Sequence, residues 1–431
     1  MYPSLVFLFL SLVLIVGVVN LLRRGSTDDF LVAGRRSRTM GTGGSLAATI
    51  VGGTSTVGLA GLAYQRGLSG AWWLLVGVVW LSVLLVFVPR VKQHNVSTLP
   101  ELIGIWYGPS VRKISSVLIV FSWMGIIGAQ ANAAGTLLAQ VYGGVPWVWT
   151  VIFGVVFIVY TAAGGQVSVI RTDLIQLMII IVSVAAACAV GLARSGGLAG
   201  MAEALDPSFL AFVPAPTLSA PTPSAPSFAL GDLLLLLVVV GTTYLIGPDV
   251  LSRLFCSSSV RSARRAVAVA IVVLIPLAFA ICLCGMIARV QFPNGLPESA
   301  FPLLILKTLP PALGLLTVFR LLSAFLSSAD TTLLTVSSIC TVDILERRPV
   351  SVRTLRAVPL IAGAVSVVIG IASGGVIRTL LLSYSVFSGG LAVPIVAGLA
   401  GVPLSRPGQS VPFSSEVLPR LWARSSAVIP W

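Results

Sequence analysis

The chain has 431 residues, 57% hydrophobic and 9% charged, with a mean hydropathy of +1.03. Soluble domains carry about 25% charged residues, so the composition excludes a string of soluble domains and indicates a polytopic membrane protein. The formal charge of +14 does not mark a nucleic-acid binder, because the basic residues sit in short stretches between apolar runs, where they act as topology signals.

Crossing a bilayer takes about 20 apolar residues. Such runs occupy 3–22, 40–65, 70–89, 113–141, 146–163, 170–193, 229–251, 264–288, 314–344, 357–374 and 377–402, an all-α reading with about 11 transmembrane helices. The run 3–22 has a signal-peptide-like length but no basic leader and no small-residue cleavage site, and Arg23 and Arg24 follow it directly; it is expected to remain as a helix. Short amphipathic helices are expected over Leu99–Tyr107 and 301–309. With the N-terminus outside, most lysines and arginines, among them Arg35, Arg90, Lys92, Arg112, Arg253 and Arg264, fall on the cytoplasmic side. Arg66, Arg194, Arg289, Lys307 and Arg378 fall outside. That bias orients a multi-pass protein in the plasma membrane with a cytoplasmic C-terminus. The segment 195–228, rich in Pro, Ala and Ser, is expected to be irregular and extracellular, separating two halves of five spans each. Residues 403–431 are expected to form a cytoplasmic tail. The five cysteines and the single His94 show no metal or disulfide framework, and nothing indicates an enzyme.

Two kinds of anomaly interrupt this apolar pattern. The run 322–344 carries Ser327, Ser328, Asp330, Thr331 and Thr332 at membrane depth. Ser327, Asp330 and Thr331 share one helical face. Hydroxyls in such a helix commonly bond back to their own carbonyls, but a carboxylate there is expensive and points to function. The second anomaly is a pair of helix breakers. Gly52-Gly53 followed by Thr54-Ser55-Thr56 sits within 40–65. Gly241-Thr242-Thr243 and Gly247-Pro248 sit within 229–251. At position 52 a break and close helix packing both remain open. Interrupted segments at corresponding positions of two halves point to an inverted-repeat transporter site. Because each half has five spans, an odd number, the second is inverted relative to the first.

At this point the motifs resemble the sodium:solute symporter family. They are Asp28-Asp29-Phe30-Leu31-Val32-Ala33-Gly34-Arg35 before the second span, Gly164-Gly165 with Thr172-Asp173 entering the sixth, Gly247-Pro248 with Arg253 and Phe255 leaving the seventh, and Ser327-Ser328 with Thr341-Val342-Asp343-Ile344. The resemblance covers about residues 3–402 and implies a LeuT-type 5+5 inverted repeat with one extra N-terminal helix: 3–22 extra, 40–193 first repeat, 229–402 second repeat, one transmembrane domain in all. Many members carry further C-terminal helices, so the chain looks like a minimal version. The resemblance further implies a co-transported sodium ion held by carbonyls of Ala48, Val51 and Ala324 and hydroxyls of Ser327 and Ser328. A second cation or proton site would use Asp173, Asp330 and Thr331, with Ser327 shared; Asp173 is equally readable as a dipole-stabilised carboxylate at a helix start. Candidate solute contacts are Thr54, Ser55, Trp73, Gln130, Asn132, Thr242, Thr243 and Tyr244, with interhelical hydrogen bonding the competing role for Gln130 and Asn132. The implied activity is sodium-coupled symport of a small polar solute such as a carboxylate or amino-acid-like compound, by alternating access. A proton-coupled or uncoupled permease and a membrane sensor module are the alternatives. Expected partners are the lipid bilayer, sodium and the solute, with no nucleic acid; oligomeric state is not legible.

Overall fold

The computed structural model describes residues 11, 15, 31–163, 166–213, 228–309, 311–345, 352–373 and 375–402, and the regular elements among them are helical. The expected span 3–22 apart from residues 11 and 15, the residues Asp28, Asp29, Phe30, Gly164 and Gly165, and the tail 403–431 lie outside the described residues.

Each expected span from 40 onward falls on a helix or on consecutive helical pieces. α1 (Thr39–Ile50) and α2 (Gly53–Arg66) are two halves of one crossing, and α3 (Trp72–Lys92) returns. The apolar helical run Ser55–Lys92 is 38 residues long, about 57 Å at 1.5 Å per residue. That is nearly twice the hydrocarbon thickness of about 30 Å, so it must fold back. It does so at Gly67, whose φ of +67° suits glycine, and where a Cβ would stand 2.0 Å from the Phe209 carbonyl oxygen.

α4 (Leu99–Tyr107) coincides with the expected amphipathic helix. Thr98 Oγ1 accepts from Glu101 N–H at 3.2 Å and Glu101 Oε2 accepts from Ser97 N–H at 2.9 Å, closing its N-terminus. α5 (Pro109–Tyr142), α6 (Pro146–Ala163) and α7 (Gln166–Arg194) complete the first half. The segment 195–228 is not irregular throughout. Gly196 and Gly197, at φ 75° and 77°, end α7 and allow a new helix, α8 (Gly197–Ala204), which Met201 anchors by burial.

The seventh expected span is interrupted twice. α9 (Leu230–Leu235) passes into a π-helical turn at Leu236–Gly241, then α10 (Thr242–Ile246), then α11 (Pro248–Cys256). Trp80 presses on the turn: its Nε1 donates to Leu237 O at 2.9 Å, and a Cβ on Gly241 would meet its ring at 2.4 Å. α12 (Val260–Gln291), α13 (Ala300–Thr308), α14 (Pro311–Ile339, ending in a π-helical turn Cys340–Ile344), α15 (Val352–Ala372) and α16 (Val376–Ala400) follow.

α12 packs along α1, α2 and α3, while α14 packs against α5, α7 and α15. In the apolar stretch of Leu321–Ile344, 83% of residues are buried, against 33% for Val376–Ala400. α14 therefore faces protein, not lipid, which is why it can hold polar side chains at this depth. At one end of the bundle the chain entering α1 is joined to the chain leaving α11: Ser37 N–H bonds Cys256 O at 3.1 Å, and Ser258 N–H bonds Ser37 O at 3.2 Å. Lys92 Nζ adds a bond to Ser257 O at 2.8 Å.

Candidate functional site at the broken helices

The α1 hydrogen-bond ladder ends with Val51 N–H on Ala47 O at 2.9 Å and resumes with Thr56 N–H on Gly52 O at 3.0 Å. Between them Val51 (φ −88°, ψ 44°) and Gly52 (φ −63°, ψ 172°) leave helical geometry. Carbonyls from Ala48 to Val51 thereby drop out of the ladder and become available as ligands. Both glycines are required by close approach of α14. A Cβ on Gly52 would lie 2.0 Å from Ser328 Oγ, and one on Gly53 would lie 2.1 Å from the Phe325 ring.

The two serines of α14 have different surroundings. Ser328 Oγ is buried against the break with no hydrogen-bond partner. Ser327 Oγ donates to Asp173 Oδ1, while Ser45 Oγ donates to Asp173 Oδ2 at 2.5 Å. Ser327 retains lone pairs. Ala324, 2% exposed, precedes it by one turn.

The trio Asp173, Asp330 and Thr331 is not arranged as an open cation site. Arg253 Nη2 lies 3.3 Å from Asp173 Oδ2 and 2.5 Å from Thr331 Oγ1, so the positive charge between these two residues belongs to the protein. Arg253, grouped from sequence with the cytoplasmic loop charges, is 0% exposed and sits in the core; the turn after Gly247-Pro248 directs it inward. Asp330 is buried, with Oδ1 unpartnered.

A small cavity of about 40 Å³ lies between the two interrupted crossings. Ser55, Gln130, Thr243 and Tyr244 line it, together with Ser328. Thr54's side chain lies outside the described residues. Trp73 is not a lining residue and stacks its ring on Gly58. Asn132 Nδ2 instead donates to Gly370 O at 2.9 Å, and Thr242 Oγ1 bonds Ser388 Oγ at 2.7 Å; both tie helices together. The lining residues absent from the expected set include Thr49, Trp123, Asp249, Thr332 and Tyr384. Asp249 carried a usable signal, since a carboxylate directly after a Gly-Pro break in an apolar run is as anomalous as Asp330.

Two crossings interrupted at mid-length, with a serine helix laid on the first break and a polar cavity between them, define a LeuT-type membrane protein. Solved structures share this fold: a Na+-coupled sialic acid symporter in a substrate-bound outward-open state (TM-score 0.77, 17% identity, covering 92% of this chain and 86% of that one), and MhsT in complex with L-phenylalanine (TM-score 0.61, 16% identity, 90% and 95%). The chain belongs to the sodium:solute symporter family, whose sequence profile matches residues 30–399. Among curated relatives, solute carrier family 5 member 4B of Mus musculus is 24% identical over 416 residues, covering 85% of this chain. Sodium/glucose cotransporter 4 of Homo sapiens is 26% identical over 383 residues, covering 80%. The chain spans 62% and 56% of the length of these two relatives.

Proposed function

We propose that the chain is a sodium-coupled symporter of a small polar organic solute, working by alternating access. The carrying observation is the free, buried Ser328 hydroxyl set against a helix break whose carbonyls have left their ladder. Neutral oxygens so placed suit a hard monovalent cation that must later leave. Ala48, Val51, Ala324, Ser327 and Ser328 would hold the ion. The solute would sit in the adjoining cavity against Ser55, Gln130, Thr243 and Tyr244, with Thr54 at the same break. Because Arg253 supplies the charge at Asp173 and Thr331, one sodium per cycle is the expected stoichiometry. The repeats would be 40–193 and 229–402, in the plasma membrane with the N-terminus outside and the C-terminus cytoplasmic.

Asp330, with its unpartnered Oδ1, favours a second reading in which a proton accompanies or replaces sodium. Thermal unfolding of the purified protein against a metabolite panel, in sodium and in potassium, separates the two. Stabilisation by a solute only in sodium supports sodium coupling; equal stabilisation in both, with uptake driven by a proton gradient, supports the second reading. No shift on adding sodium alone would refute the ion site.

A further inference from the structure

We propose that Asp249 holds a protonated amine of the transported solute; this rests on the transporter reading above and narrows its substrate class. Asp249 stands in the first turn of α11, immediately beyond the Gly247-Pro248 break, and lines the central cavity. Its carboxylate folds back toward the break, since a Cβ on Gly247 would lie 2.8 Å from Asp249 Oδ1. Among the described residues the salt bridges join Asp232 to Arg66, Asp343 to Arg112 and Asp173 to Arg253; none engages Asp249. Arg253 is one turn further along α11; its Nη2 is committed to Asp173 and Thr331, its Nε and Nη1 are buried without hydrogen-bond partners, and among the described residues no ion pair joins it to Asp249.

Charge balance in this core points the same way. Asp173 and Asp330 are buried and Asp249 lines the cavity, while among the described residues Arg253 is ion-paired with Asp173 alone. Two carboxylates are left unmatched, and unpaired charge at this depth is costly. A buried carboxylate can be neutralised by a proton, as in the second reading of Asp330 above. The other, Asp249, calls for a positive charge, and it is the one that opens on the cavity.

The cavity walls suit an ammonium. No lysine, arginine or histidine is among the described lining residues. The rings of Trp123, Tyr244 and Tyr384 stand around it, and aromatic faces attract a cation. Gln130 Oε1 is buried without a partner and can accept a second N–H, while Trp123 Nε1, also unpartnered, can donate to an oxygen of the same solute. Half-helix N-termini favour an anionic group; at α11 that place is taken by Asp249 itself, so the carboxylate of an amino-acid-like solute is left the N-terminus of α2.

The test uses the purified full chain, wild type and Asp249→Asn, with Asp249→Glu as a charge-preserving control. Thermal unfolding is followed in sodium against free amino acids and simple amines, each paired with its N-acetylated form. The expected result is stabilisation of the wild type by an amine and not by its acetylated partner. Asp249→Asn should need roughly 10- to 100-fold more of that amine, the loss of one charge-assisted hydrogen bond, and Asp249→Glu should retain part of the selectivity. Equal stabilisation by the acetylated form, or unchanged amine affinity in Asp249→Asn, would overturn the proposal. Loss of the shift by sodium alone in Asp249→Asn would also overturn it, by assigning the residue to the ion. Absence of that sodium shift in the wild type would instead refute the transporter reading itself.

Discussion

Replacing Gly52 by alanine tests the ion site through a contact whose geometry is known. The backbone there, φ −63° and ψ 172°, is open to any residue, so the penalty is steric. The new Cβ would lie 2.0 Å from Ser328 Oγ and 3.0 Å from Ser328 Cβ, against an optimum of about 3.5–4.0 Å for carbon pairs. The hydroxyl can rotate away; the Cβ cannot, and overpacking of this kind costs about 1–3 kcal/mol. Rotation takes a ligand oxygen off the break. Scaled as one hydrogen bond to a charge, about 1.5–3 kcal/mol, this weakens sodium binding roughly 10- to 100-fold. Ser328→Ala removes the same oxygen without crowding, and should weaken sodium equally while leaving stability nearly unchanged, because that hydroxyl has no partner to lose. The double variant should regain part of the stability lost in Gly52→Ala and none of the sodium affinity. Thermal unfolding across a sodium titration at constant ionic strength reads both quantities. A wild-type sodium midpoint in Ser328→Ala, or recovery of the midpoint in the double variant, would refute the assignment.

Arg253→Leu should destabilise by about 3–5 kcal/mol, because it leaves Asp173 buried without its counter-charge; adding Asp173→Asn should restore much of that, and both are read as unfolding midpoints. Asn132→Leu should lower stability by about 1 kcal/mol through the lost bond to Gly370 O and leave solute affinity unchanged, whereas Gln130→Leu should weaken solute binding, as measured by ligand-dependent thermal shifts. Asp343→Leu should cost about 1–2 kcal/mol, because the Arg112 it leaves unpaired, with Nη2 2.6 Å from Asp343 Oδ1, is partly solvent-exposed, and sodium affinity should be retained.

The helices were legible because a bilayer forces long apolar runs, and the break at Gly52 because glycines and hydroxyls cluster where a helix should be continuous. The expected α4 matches to the residue, since an amphipathic period with a Thr98–Glu101 cap is a local signal. Long-range partners were not legible. Arg253 looked like a loop charge because its pairing with Asp173 spans 80 positions in sequence. Asn132 and Thr242 looked like solute contacts because side-chain chemistry alone does not tell a cavity from a neighbouring helix. Asp249 was hidden by the breaker beside it, which drew attention to backbone and away from charge.

The backbone pairing of Ser37 with Cys256 and Ser258 has a mechanical consequence. The stem of α1 leads to the carbonyls of the proposed ion site, and the stem of α11 carries Asp249. Joined at their feet, the two stems form a linkage in which neither can swing without either carrying the other or undoing two hydrogen bonds. A displacement begun at the α1 break would thus be passed to Asp249 by a rigid coupling about as strong as two backbone hydrogen bonds, each worth about 0.5–1.5 kcal/mol. Such a clasp would keep the proposed ion and solute sites in step and is weak enough to release within the proposed transport cycle.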